Sequence, residues 1–332
     1  MPELRKDPIL GRWIIISTER GKRPTDFIVE GNNSKGGFCP LCPGNESTTP
    51  SEVLSYGRNQ GFANQPGWSL RVVPNKYPAL VIEGDIDKEG EGLYDKMNGI
   101  GAHEVIVETP DHNASFSHLP HELMIQVFWA FRDRITDLER DPRFRYAMIF
   151  KNFGRAAGAS LEHSHSQLVA LPVLPRLIVS ELEGSKNYYK YKDRCVYCDI
   201  IRQEIKQDIR IVSQNEHFIA ITPYAPRSPF EMWILPKHHE YSYSSMGKDR
   251  YERLTSIFSE VMRRLDACIP GVPYNFVLHT APLRSEPLEY YHWHFEIMPK
   301  LTSIAGFEWG SGFYINPLPP EDAAKYLREA KI

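Results

Sequence analysis

His163-Ser164-His165, in the first half of the chain, recurs as His292-Trp293-His294 in the second half. A Cys-x-x-Cys pair precedes each copy, Cys39/Cys42 in the first half and Cys195/Cys198 in the second. An internal repeat of this kind indicates that one structural unit occurs twice along the chain. The segments between the cysteines and the histidines repeat as well.

Each repeat contains a strand-like run that ends close to a single histidine. Residues 103–108 alternate between polar and apolar, and residues 230–235 are almost continuously apolar; both patterns are typical of β-strands. The histidines that follow are His112 and His239. The interval from this histidine to the His-x-His motif is 51 residues in the first half (112 to 163) and 53 in the second (239 to 292).

A helix and a further strand are predicted inside that interval. In the second half, apolar residues recur with helical spacing from Leu254 to Leu265. In the first half, the helix is predicted from about Pro120 to Arg140, because proline suits the first turn of a helix. Its expected inward residues are Leu123, Val127, Ala130 and Leu138. The strands that follow are predicted at residues 146–150 and 274–278.

We therefore predict an α+β fold built from a duplicated unit. The first copy spans residues 1–172 and the second spans residues 195–332. The join is placed at residues 173–194, a stretch that contains Pro175, Gly184 and many polar side chains.

Composition excludes several classes of partner. The 332 residues are 42% hydrophobic, which is enough for a large core, and the net charge of −3 provides no cationic field for nucleic acid or an anionic membrane. No apolar run approaches the length of a membrane span, and the charged N-terminus has no signal-peptide core. We expect a cytoplasmic protein that binds neither membranes nor nucleic acids.

The repeated cysteines and histidines predict two zinc sites. Zinc takes thiolate and imidazole ligands in a tetrahedron, and a four-ligand site is structural. A DNA-binding zinc finger is excluded, because 44 or 73 residues separate the first cysteine from the first histidine of each set. A redox Cys-x-x-Cys and free buried cysteines remain alternatives. The predicted ligand sets are Cys39, Cys42, His112 and His163, and Cys195, Cys198, His239 and His292.

His165 is the candidate nucleophile. Alternate residues of a strand share a face, so His165 and Gln167 are expected beside the metal-bound His163. A neutral imidazole can attack phosphorus without a separate base, and the N–H donors of Gln167 could stabilise the phosphate oxygens. The preceding segment, Gly154-Arg155-Ala156-Ala157-Gly158-Ala159-Ser160, has the small residues of a phosphate cradle.

The second half is predicted to be catalytically inactive. His294 and Glu296 stand where the first half has His165 and Gln167. A carboxylate at that position would repel a phosphate, so this half is expected to keep the scaffold without the catalysis.

The chain resembles the galactose-1-phosphate uridylyltransferase family of the histidine triad superfamily. The resemblance implies an open, half-barrel-like antiparallel sheet flanked by helices, a homodimer, and transfer of a nucleotidyl group from a nucleotide sugar to a sugar 1-phosphate through His165. It further implies that Gln167 and Ser160 contact phosphates, and that Arg23, Asn75 and Asn152 contact the nucleotide or phosphates. It is carried by Trp13, residues 20–24, 39–46, 73–78 and 103–105, Asp111, His112, Asn152 and the His163-x-His165-x-Gln167 core.

The sequence also departs from the family pattern. Ser164 and Ser166 replace the proline and glycine of the family's His-Pro-His-Gly-Gln core, and residues 306–317 lack its hexose-contacting pattern. These features resemble the ADP-glucose phosphorylase branch, which transfers an adenylyl group to inorganic phosphate. Some members bind iron or zinc with one glutamate and three histidines, here Glu181, His279, His292 and His294. That set shares His292 with the cysteine set, which we favour.

Two other classes of function remain alternatives. A histidine triad hydrolase would cleave dinucleoside polyphosphates or nucleotide phosphoramidates, but such proteins carry a third histidine where this chain has Gln167. A zinc-stabilised, non-enzymatic nucleotide-binding module would explain the cysteines but not the pair His165 and Gln167.

Overall fold

The computed structural model describes residues 2–17, 23–27, 37–58 and 61–332. Within these residues the chain forms strands and helices in alternating blocks. The strands are β1 (Glu3–Lys6), β2 (Trp13–Ile16), β3 (Leu54–Tyr56), β4 (Leu70–Pro74), β5 (Glu89–Glu91), β6 (Tyr94–Lys96), β7 (Ala102–Val107), β8 (Tyr146–Phe153), β9 (His165–Leu171), β10 (Ile211–Gln214), β11 (Phe218–Ile221), β12 (Met232–Pro236), β13 (Tyr274–His279), β14 (His294–Pro299) and β15 (Tyr314–Asn316). The helices are α1 (His121–Leu138), α2 (Arg176–Lys192), α3 (Val196–Gln207), α4 (Lys248–Cys268), α5 (Gly306–Ser311) and α6 (Pro320–Glu329).

One ten-stranded sheet runs through both halves of the chain, in the order β10-β11-β12-β14-β13-β8-β9-β7-β4-β3. Counted outward from the centre, the first half contributes β8-β9-β7-β4-β3 and the second contributes β13-β14-β12-β11-β10, so the two halves have matching orders. Every pair in this sheet is antiparallel. The central pair, β8 with β13, joins the halves, with Asn152 opposite Asn275.

Helices α1 and α4 cover one face of this sheet, and their apolar stripes form the main core with its inward side chains. In α4 the predicted stripe from Leu254 to Leu265 is buried. The side chains of His165 and Gln167 lie on the opposite face of the sheet. In the pairing of β9 with β7, His165 is opposite Val107 and Gln167 is opposite Val105. The prediction of an α+β fold with an open antiparallel sheet flanked by helices is confirmed.

Several local predictions need correction. Residues 173–194, which stay the predicted join between the copies, were not expected to be helical but lie mostly in α2; its inward positions include Glu181 and Ser185, which hide the usual apolar periodicity. Pro120 is the residue before α1 rather than part of its first turn, and Met124 is buried where Leu123 was expected to be. His163 precedes β9, so it does not share that strand's alternation with His165.

The remaining strands form small sheets at the periphery. Strands β1, β2 and β15 make a three-stranded sheet that brings the N-terminus against the C-terminal region, and β5 pairs with β6. Among the described residues, no helix has the length and apolar character needed to cross a bilayer.

Candidate active site and cysteine–histidine clusters

The first cysteine–histidine set converges in the first half of the chain. The ligand atoms of Cys39, Cys42, His112 and His163 lie within 4.8 Å of one another. Cys42 Sγ is 3.3 Å from His112 Nδ1 and 3.5 Å from His163 Nδ1. A turn closed by the backbone of Cys42 on Cys39 brings the two thiols together, while His163 arrives from the segment before β9.

The second set converges in the same way in the other half. The ligand atoms of Cys195, Cys198, His239 and His292 also lie within 4.8 Å of one another. Cys195 Sγ is 3.5 Å from His292 Nδ1, and Cys198 Sγ is 3.7 Å from His239 Nδ1. Cys195 is the residue before α3 and Cys198 lies in its first turn. In a thioredoxin-like redox motif, the helix that carries Cys-x-x-Cys follows a buried strand. Here a short loop after α2 precedes the helix, so the arrangement differs from that alternative.

The imidazoles are oriented as metal ligands require. His163 Nε2 lies 2.7 Å from the carbonyl oxygen of Thr109, His292 Nε2 lies 3.1 Å from that of His238, and His239 Nε2 lies 3.0 Å from that of Leu288. A carbonyl only accepts, so each Nε2 carries the proton and each Nδ1 presents a lone pair to the thiols. Burial lowers the pKa of His163, which keeps its imidazole neutral and able to bind a metal ion. Both clusters therefore fit a metal ion.

A third group of potential ligands lies in the second half, and it differs from the glutamate–histidine set implied by the resemblance. Glu181, His279 and His294 meet Glu296, whereas His292 belongs to the cysteine cluster. His279 Nδ1 is 2.9 Å from Glu181, and Tyr291 donates to the same carboxylate. Burial alone would raise the pKa of Glu296, but Arg227 lowers it to about 2. The ligand atoms of this group lie within 4.8 Å of one another, so it could also hold a metal ion, and Arg227 offsets part of its negative charge.

His165 has the features of a nucleophile. Its Nδ1 lies 2.7 Å from the carbonyl oxygen of His163, so Nδ1 holds the proton and Nε2 holds the free lone pair. No hydrogen bond of Nε2 occurs among the described residues. Burial, followed by the charge of Lys151, lowers the pKa of His165 below its ordinary value. The imidazole is therefore neutral at neutral pH.

Gln167 is oriented by a chain of polar side chains. His103 Nδ1 accepts a hydrogen bond from the backbone of Ala79, so its Nε2 donates to Gln167 Oε1 at 2.9 Å. With its oxygen held, Gln167 keeps its NH₂ group for an acceptor such as a phosphate oxygen. Asn75 Nδ2 lies 3.1 Å from the same Nε2, so Asn75 is a close neighbour of this chain of side chains; both nitrogens carry protons, and the contact is therefore not counted as a hydrogen bond.

The other three predicted contact residues, Asn152, Ser160 and Arg23, have no described hydrogen bond to His165 or Gln167. Asn152 lies on β8, next to the nucleophile strand, and its Oδ1 accepts a hydrogen bond from Asn275. Ser160 is exposed after a 3₁₀ turn between Gly154 and Gly158, both of which have positive φ. Arg23 is exposed; its backbone N–H donates to the Asp26 carboxylate, and its carbonyl oxygen accepts from the Asp26 backbone N–H. Residues 20–22 of the family segment lie outside the described residues.

The matching place in the second half is closed. The His294 ring is 1% exposed and lies against the rings of Tyr197 and Trp233, at centroid distances of 5.3 and 5.4 Å. The Arg227 guanidinium bridges Glu296 and Glu231, which stand at the positions of Gln167 and His103. An internal cation is thus paired with both carboxylates at this place in the second half.

Sequence reasoning did not assign a role to His103, Arg227, Glu108 or Lys151. His103 belongs to a segment that carries the family resemblance, but its contact with Gln167 depends on the pairing of β7 with β9, which the sequence does not show. Glu231, just before β12, and Glu296, within β14, could have indicated a buried cationic partner, since both are charged residues among apolar neighbours. Nothing local identified Arg227 as that partner.

Comparison with known proteins gives matches along the whole chain. The N-terminal domain of the galactose-1-phosphate uridyl transferase family matches residues 1–175, and its C-terminal domain matches residues 181–326. An ADP-glucose phosphorylase from Arabidopsis thaliana is 36% identical, over 100% of this chain and 93% of that protein. A galactose-1-phosphate uridylyltransferase from Thermotoga maritima is 29% identical, over 100% of this chain and 99% of that protein.

Solved structures of the same two kinds of protein match the fold of almost the whole chain. A crystal structure of an ADP-glucose phosphorylase from Arabidopsis thaliana with bound ADP-glucose superposes with a TM-score of 0.84, at 33% identity and full coverage of both chains. The structure of a uridylyltransferase superposes with a TM-score of 0.77, at 29% identity, over 99% of this chain and 98% of that chain.

Proposed function

Because the chain belongs to the galactose-1-phosphate uridyl transferase family, we propose that it transfers a nucleoside monophosphate by double displacement through His165. The chain is accordingly a nucleotidyltransferase. One observation carries the proposal: His165 Nδ1 is held by the His163 carbonyl oxygen, and Nε2 is directed away from it with its lone pair free.

In the first step, the Nε2 lone pair attacks the α-phosphorus of a nucleotide sugar. The bond from that phosphorus to the bridging oxygen breaks, and the sugar 1-phosphate leaves with the bonding electrons. In the second step, an oxygen of an acceptor phosphate attacks the same phosphorus and the P–N bond breaks, which restores the imidazole. The Gln167 NH₂ group would donate to the non-bridging oxygens, where negative charge develops.

We assign the remaining contacts in the same way. Asn75, Asn152, Ser160 and Arg23 would bind the nucleotide or its phosphates. The position of Asn75 beside His103 and that of Asn152 on β8, the neighbour of β9, support the first two assignments. Water attack is disfavoured, because Gln167 stands where a hydrolase of this superfamily has a proton-carrying histidine.

The donor and acceptor that we propose are UDP-glucose and galactose 1-phosphate, as the names of most relatives suggest. A second candidate is the ADP-glucose phosphorylase reaction, in which an adenylyl group passes to inorganic phosphate. It is favoured by the 36% identity to the Arabidopsis enzyme over the whole chain and by the serines at positions 164 and 166.

We propose zinc at both cysteine–histidine clusters, because two thiolates and two imidazoles are ligands that Zn²⁺ prefers; iron at the second cluster is the alternative. The ions would fix the segments around the nucleophile and take no part in the chemistry.

Free thiol ligands fit a reducing compartment, which supports a location in the cytoplasm. The exposed Trp309 and Phe307 on α5 support the proposed homodimer.

The test incubates the protein with UDP-glucose or ADP-glucose labelled in the α-phosphate, each with galactose 1-phosphate or orthophosphate as acceptor. An acid-labile, alkali-stable label on His165 is expected, together with turnover for one pairing of donor and acceptor. His165→Asn should abolish both, while the matched variant His294→Asn should keep the label. Free nucleotide released without labelled protein would indicate hydrolysis instead.

A further inference from the structure

A buried group of four polar residues lies beneath the nucleophile strand, on the side opposite the His165 imidazole. It consists of Glu108, Lys151, Ser164 and Ser166, which are between 0 and 5% exposed. We call it the buried network. None of the four was predicted to act in catalysis.

Every polar atom of the network has a partner. Lys151 Nζ donates to Glu108 at 2.6 Å, to Ser164 Oγ at 3.1 Å and to the carbonyl oxygen of His165 at 2.9 Å. Ser164 donates to Glu108 Oε2 at 2.6 Å, and Ser166 donates to Glu108 Oε1. A buried ion pair is costly unless its hydrogen bonds are complete, and here they are complete.

The network contacts three consecutive residues, with the nucleophile in the middle. Both neighbours of His165 are held through their hydroxyl groups, and His165 itself is held through its carbonyl oxygen. The backbone N–H of Glu108 also donates to the carbonyl oxygen of Ser164 at 3.2 Å. A shift of the strand at this point would break several charge-assisted hydrogen bonds at once.

The serines explain why such a device is needed. Proline would fix its own φ angle and restrict the preceding residue, so a His-Pro-His segment is stiff without further contacts. Ser164 gives no such restriction. In this chain, hydrogen bonds to a buried ion pair can supply the missing rigidity.

We propose that the Glu108–Lys151 ion pair positions His165 for attack on phosphorus, acting through Ser164, Ser166 and the His165 carbonyl oxygen. These four are positioning residues, because none of them is placed to touch the substrate. The inference rests on the proposed function of His165.

The test uses the variant Glu108→Gln/Lys151→Met, which removes both charges and so leaves no unpaired ion. Its matched control is Glu104→Gln/Arg134→Met, because Glu104 on β7 and Arg134 on α1 form another buried ion pair, at 2.7 Å, that has no described hydrogen bond to residues 164–166. Three quantities are measured: the single-turnover rate at which His165 is labelled, the KM for the nucleotide sugar, and the metal content.

We expect the network variant to label about 10- to 100-fold more slowly, because a small misplacement of a reacting group has effects of this size. Its KM and metal content should match those of the control, whose labelling rate should stay close to that of the wild type. An unchanged labelling rate in the network variant would overturn the inference and leave the proposed function standing. Equal losses in both double variants would indicate a structural role only and would overturn it too.

A second variant covers the case in which the double variant does not fold. Ser166→Ala keeps both charges and removes one hydrogen bond to Glu108, so a loss of about 3- to 10-fold in labelling rate is expected. A folded Ser166→Ala protein with the wild-type rate would contradict the inference. A wild-type protein that never becomes labelled would remove the proposed function and the inference together.

Discussion

Replacing Cys39 by serine tests the first cysteine–histidine cluster. A serine hydroxyl is a poor zinc ligand, so the variant is expected to lose one of two metal ions per chain. The cluster ties Cys42 to His112 across 70 residues, and a cross-link over a loop of that length lowers the entropy of the unfolded chain by an amount worth about 4 kcal/mol. We therefore expect the free energy of unfolding to fall by about 4 kcal/mol.

The assay combines metal analysis by mass spectrometry with urea unfolding of the same samples. Cys268→Ser is the control, because Cys268 is half-buried and lies outside both clusters, where its Sγ contacts the carbonyl oxygen of Tyr326. The control should keep two metal ions and lose no more than about 1 kcal/mol. If Cys39→Ser binds as much metal as the control, the first cluster is not a metal site.

Two further predictions follow from the charged groups. Burial lowers the pKa of His165, and its neutral form is the nucleophile, so the labelling rate should fall only when the pH drops below about 6.5. A pH–rate profile measures this. A rate that already falls with decreasing pH above about 6.5 would contradict the assignment. Arg227→Met should lower the free energy of unfolding by about 3 to 5 kcal/mol, because it leaves Glu231 and Glu296 buried without this partner. Urea unfolding measures the loss, and the double variant Arg227→Met/Glu296→Gln should recover part of it.

The sequence was informative where structure depends on local pattern. The stripe from Leu254 to Leu265 has helical spacing and becomes the buried face of α4. The alternation at residues 103–108 becomes β7. The repeat itself predicted two corresponding halves, because equivalent elements follow one another in the same order.

The sequence was less informative where long-range contacts decide the outcome. The helix α2 within residues 173–194 was not predicted. Its inward positions include Glu181 and Ser185, where apolar residues are usual, and Glu181 is paired with residues about 100 positions away. Lys151 and Glu108 are 43 residues apart, so no local pattern indicates that they meet beneath His165. The bridging of Glu296 by Arg227 is of the same kind.

The central strand pair has a consequence for the two halves as separate pieces. β8 bonds to β13 along five residue pairs, and Asn275 of the second half donates to Asn152 beside the nucleophile. A fragment ending near residue 172 would present β8 as a bare sheet margin, with a row of unsatisfied N–H and C=O groups that recruits other chains. The second half thus covers the margin of the strand next to His165 and protects the first half from self-association.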